Sequence, residues 1–111
     1  MKRFSEYMYE MTGIKPKDSG LSCYIWISSR GNAKHGPRVK VSNISGKFDA
    51  NDNFSITVSD NPIVISGKCK LTQDNLEQLK DWIKLNYKNL HLIWNSDIMD
   101  SRDHLEHIQK L

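Results

Sequence analysis

The sequence predicts an α+β fold: a small antiparallel sheet of about four strands packed against one long amphipathic helix, with short N- and C-terminal helices. Alternating apolar runs between residues 21 and 71, divided by short polar turn signals, predict the sheet, because parallel crossovers need a dozen or more residues. One uninterrupted stretch of helical period after Thr72 predicts the helix. The length of 111 residues fits a single domain.

Phe4, Met8 and Met11, spaced by four and three with Tyr7 beside them, predict a short helix over about 3–12 that stops at Gly13. Residues 15–20 (KPKDSG) read as a polar connector. In LSCYIWISS (21–29), Cys23, Ile25 and Ile27 share one face and Tyr24 and Trp26 the other, which suits a strand buried on both sides. PRVKVSN (37–43) turns Val39 and Val41 inward and Arg38, Lys40 and Ser42 toward solvent. NFSITVS (53–59) alternates again, and PIVISGKCKL (62–71) reads as a further strand bent at Gly67. NISGKF (43–48) and VISGKC (64–69) echo each other, but one echo makes no solenoid.

The main helix is expected over about 72–90. Thr72 suits the N-cap, with Leu71 and Leu76 placed to staple the first turn. Leu76, Leu79, Trp82, Ile83, Tyr87 and Leu90 form one stripe and the charged residues fill the rest; Trp94 and Asn95 close the segment. Ser101 or Asp100 caps a last short helix over about 100–111, an appendage that carries Leu105, Ile108 and Leu111 for packing or partner binding.

The net charge of +3 is modest, but it is unevenly spread. Residues 1–40 hold eight Lys/Arg against three Asp/Glu, residues 41–111 eight against ten, and no acidic residue lies between Asp18 and Asp49. A basic zone of this kind favours an anionic partner, an acidic protein or a nucleic acid. Arg30, Lys34, His35, Arg38 and Lys40 are its candidate binding residues, and Tyr24 and Trp26 are either stacking surfaces beside them or core. No apolar run is long enough for a membrane helix and no signal-peptide pattern opens the chain, so a cytoplasmic protein is expected. Cys23 and Cys69 lack metal or redox spacing and are expected as reduced, packed thiols.

The candidate catalytic and metal patterns fail on their chemistry. Gly31 and Gly36 have phosphate-loop spacing, but Pro37 and Arg38 stand where Lys and Ser/Thr must reach phosphate and magnesium, so both glycines are expected to serve a hairpin connection. DANDN (49–53) lacks the glycine and terminal glutamate of a calcium loop and reads as a turn. His104 and His107 could share a helix face, with only Asp100 and Asp103 as further ligands, and His91 suits a helix C-terminus where it satisfies carbonyl groups. No cofactor or metal is expected, and a catalytic pairing of Cys23 or Cys69 with His35 has no supporting spacing.

YIWISSRGNAKHGPRVKV (24–41) and LEQLKDWIKLNYKNLHLIWN (76–95) together resemble the domain-of-unknown-function 4160 family, through the aromatic strand, the loop at His35-Gly36-Pro37, and Trp82, Asn86, Leu90, Trp94 and Asn95 on the helix. The resemblance spans about residues 21–95, and Arg38 and Lys40 stand where that family favours histidines. It implies one half of a small two-protein module, of toxin-antitoxin type. The function expected is therefore a non-enzymatic binding module for an acidic protein; the alternative is RNA or DNA binding, or RNA cleavage, through the basic zone at 30–40.

Overall fold

A computed structural model describes residues 11–28, 36–45, 51–95 and 107–111. Five strands form one antiparallel sheet in sequence order: β1 (Met11–Ile14), β2 (Cys23–Ser28), β3 (Arg38–Ser45), β4 (Asn53–Thr57) and β5 (Val64–Gly67). A one-turn helix α1 (Pro16–Ser19) joins β1 to β2, and the long helix α2 (Gln73–Asn95) follows β5. Order and direction are those of a meander, as the short connections require.

The fifth strand is the main departure from expectation. The sequence pattern places Met11 and Gly13 at the end of a helix and its stop, yet Met11–Ile14 pairs antiparallel with β2, Gly13 opposite Trp26 and Ile14 opposite Ile25. Non-local pairing overrides the local pattern here. The rest of the expected N-terminal helix, over residues 3–10, lies outside the described residues. The connector 15–20 is also more ordered than its composition suggests. Pro16 supplies the fixed φ of a first helical position, and Gly20 ends the turn in the left-handed region at φ 79°.

One row of apolar side chains crosses the sheet: Ile14, Ile25, Val41 and Phe54 are successive cross-strand partners, and all are buried. Phe54 faces Gly67, whose φ is 76° and where a Cβ would lie 2.6 Å from the Asn53 carbonyl oxygen. Gly67 is thus the bend expected in that strand, and β5 ends there rather than running to Leu71. On β5 the register slips so that Ile65 is the extra residue of a bulge against β4.

Helix α2 covers this row. Thr72 Oγ1 accepts the Asn75 N–H at 3.2 Å, the expected N-cap bond, and Leu71 and Leu76 both pack on the core. Leu79, Trp82, Ile83 and Leu90 have no more than 0% exposure, and Ile93 and Trp94 extend the buried stripe through the last turn to Asn95. Each such side chain stabilises the fold by about 1.5–3 kcal/mol. The expected C-terminal helix is corrected over its described part: residues 107–111 are not helical but run as an irregular strap along α2 and α1, with Ile108 packed against the core. Its remainder, including Asp100, Ser101, Asp103, His104 and Leu105, lies outside the described residues.

Candidate functional site

Strand alternation sends Val39 and Val41 under α2, and therefore Arg38 and Lys40 to the opposite face of the sheet. Register defines their neighbours. Trp26, Lys40, Ser55 and Ser66 are successive cross-strand partners, Gly13 lies beyond Trp26 on β1, and Arg38 stands opposite Thr57. β3 is the central strand of the five, so Lys40 sits in the middle of a row that is otherwise uncharged, with Arg38 two residues away on the same strand.

Lys40 is exposed and Arg38 half-buried. The Arg38 Nε is covered and finds no hydrogen-bond acceptor among the described residues. Among those residues neither Arg38 nor Lys40 takes part in an ion pair. A partly desolvated guanidinium without a counter-charge gains more from an incoming carboxylate than a fully hydrated one does, because the effective dielectric around it is lower.

The two aromatic candidates divide. Trp26 is 3% exposed and stands outside the cluster under α2, so it is buried on the cation face and its ring is not offered to a nucleobase. Tyr24 is half-buried, its ring centroid 6.3 Å from that of Trp26 and tilted by 56°. The Tyr24 ring lies over Gly13, where any side chain would collide with its hydroxyl. Ser42 was expected in solvent, yet it is 0% exposed. Arg30, Lys34 and His35 lie outside the described residues. Gly36 is exposed, has no positive φ, and a Cβ there would meet nothing, so no turn conformation demands glycine at that position.

The remaining candidates have structural surroundings. His91 lies near the end of α2 but does not cap its carbonyls: Nε2–H donates to the Val58 carbonyl at 3.0 Å, tying the helix to the end of β4, and the ring meets Tyr87 edge-on. His107 is exposed, and its carbonyl accepts from Asn89 Nδ2 at 3.0 Å. Cys23 and Cys69 are not joined; burial pushes the Cys23 thiol up to about 11. No cluster of metal-ligating residues occurs among the described residues, and none of their helices is long and apolar enough to cross a membrane.

Sequence reasoning missed Asn43. Its Nδ2 donates to Asp52 Oδ1 and to the Lys68 carbonyl, each at 2.9 Å, while its Oδ1 accepts the Lys70 N–H at 2.8 Å. Lys70 closes the ring with a 3.0 Å ion pair to Asp52. These bonds hold Asp52 below the usual carboxylate range, the Asn43 bond contributing most and the Lys70 bond next. A register irregularity between β2 and β3, between the Ile25–Val41 and Cys23–Ser45 pairs, accompanies the clamp, but nothing in the one-dimensional pattern marks it.

No protein-family model, curated protein or solved structure matches this chain.

Proposed function

We propose that this protein is a small binding module that engages an acidic protein through the outer face of β3, with Arg38 and Lys40 as the described contact residues. The single observation behind this reading is the pair of cations on alternate positions of the central strand, flanked by Trp26, Ser55 and Thr57 and without a counter-charge among the described residues. Uncharged neighbours leave the field of the pair unquenched, so a carboxylate-bearing surface is steered to it. Arg30, Lys34 and His35 add to the same basic zone in the sequence. A two-protein, toxin-antitoxin-like pair is the setting that the resemblance implies for such a partner.

Burial of Trp26 favours protein over nucleic acid, since single-strand binding draws much of its energy from aromatic rings open to stacking. A titration followed by amide chemical shifts separates the two. Polyglutamate should shift the resonances of Arg38, Lys40, Ser55 and Thr57, and salt should reverse the effect. A single-stranded RNA that binds more tightly than polyglutamate at equal salt would transfer the site to nucleic acid.

A further inference from the structure

The two cysteines are far apart in sequence, yet the fold brings them to the same end of the core. Cys23 stands on β2 opposite Ser45, points inward with Ile25, and is 2% exposed within the cluster under α2. Asn43, two residues before Ser45, continues the inward alternation of Val39 and Val41, and its N–H keeps β3 paired by donating to the Asp52 carbonyl at 3.0 Å. The side-chain amide of Asn43 holds the peptide groups on both sides of Cys69, through the Lys68 carbonyl and the Lys70 N–H. Cys69 is thereby laid over the inner face of the sheet, half-buried and packed on the cluster that contains Cys23. Burial is the main reason that the Cys23 thiol titrates high, and charge on Cys69 adds to it, so the two sulfurs lie within electrostatic reach of each other.

We propose that Cys23 and Cys69 form a reversible disulfide, with half-buried Cys69 as the thiol that meets the oxidant and Cys23 as the thiol that closes the bond. The oxidant is a small-molecule disulfide. The Cys69 thiolate attacks one of its sulfurs, the small S–S bond breaks, and one small thiolate leaves. Cys23 then gives its proton to solvent, and its sulfur attacks Cys69 Sγ and expels the second small thiolate. Two protein thiols are oxidised by two electrons, and the two released thiolates take up the two protons. β5 ends at Gly67, so residues 68–70 are tied to the sheet by the Asn43 side chain and the Lys70–Asp52 ion pair instead of a strand ladder, and can adjust to the geometry a disulfide requires. The bond encloses β3, β4 and β5 in one covalent loop and fastens β2 to the segment that leads into α2. It lies on the face of the sheet opposite Arg38 and Lys40, so this inference is independent of the proposed function.

Incubation of the folded chain with oxidised glutathione, followed by mass-spectrometric peptide mapping without reduction, tests it. The unaltered chain should lose two hydrogens and yield a linked pair of peptides joined from Cys23 to Cys69, and dithiothreitol should reverse the change. Cys23→Ala should stop at a glutathione adduct on Cys69, and Cys69→Ala should stay unmodified while folded. The peptide map of the unaltered chain decides the matter even where Cys23→Ala fails to fold. A lasting glutathione adduct on Cys69 of the unaltered chain, two thiols that stay free, a bond that forms only in urea, or dimers linked through Cys69 would overturn the proposal.

Discussion

Asn86 and Gln109 are joined edge to edge: Asn86 Nδ2 donates to the Gln109 carbonyl at 3.0 Å, and the Gln109 N–H donates to Asn86 Oδ1 at 2.7 Å. The same Nδ2 donates to the Trp82 carbonyl at 3.0 Å, so a side chain only 1% exposed has both donors and its acceptor engaged. One helix residue thereby pins the strap, which Leu111 N–H fastens at its far end by donating to the Ser19 carbonyl at 2.9 Å. Asn86→Ala is expected to cost about 1–3 kcal/mol, the usual range for disrupting a buried hydrogen-bonding group. Hydrogen exchange adds a local readout: the Gln109 and Leu111 amides should lose protection before those of α2 do.

Gly13 and Tyr24 form a second coupled pair, since the phenol lies where a Cβ on residue 13 would be. Gly13→Ala should destabilise by about 1–3 kcal/mol through overpacking. The cost should largely vanish in a Tyr24→Ala background. A double-mutant cycle by urea denaturation measures this coupling, and additive effects would mean that the ring has another resting place.

Asp52 gives the fold an acid-sensitive joint. Its folded carboxyl titrates below the usual value of 3.8, so the stabilisation is present above that value and is lost as pH falls through the lower folded one. The thermal midpoint should therefore drop as pH is lowered below about 4. In Asn43→Ala the midpoint should start lower and this part of its acid dependence should shrink, because the largest bond to the carboxylate has gone.

Cys23 works in the opposite direction. Its folded thiol titrates near 11 against an ordinary 9.0, so the unfolded chain ionises first and stability should fall as pH rises from about 9 toward 11. At neutral pH a thiol reagent should modify half-buried Cys69 while buried Cys23 reacts only on unfolding. Mass spectrometry of the partly labelled native protein checks the order.

The sheet and α2 were legible because both present a repeating apolar face. Val39 and Val41, Phe54 and Ile56, and the stripe from Leu76 to Leu90 fix strand faces and the helix without any partner being known. The elements that escaped are those whose structure is decided by a distant group. Met11–Ile14 is a strand because β2 offers an edge and Gly13 leaves room for Tyr24; the strap is held against α2 because Asn86 pairs with its backbone. Asn86 stood out only through a family resemblance, and Asn43 through nothing, since an asparagine that bonds peptide groups 25 and 27 residues away leaves no local trace. At the site, alternation placed Arg38 and Lys40 on the correct face, but the burial of Trp26 and Ser42 there depends on what covers them, which periodicity does not encode.

Charge reversal on β3 tests the central claim most directly. Calorimetric titration of Arg38→Glu/Lys40→Glu with polyglutamate at low salt should show affinity reduced at least about tenfold from the unaltered protein, with the thermal midpoint of Lys40→Glu alone little changed because Lys40 is exposed. Equal affinity for the acidic polymer in the reversed and unaltered proteins would contradict the assignment of β3 as the partner-binding face.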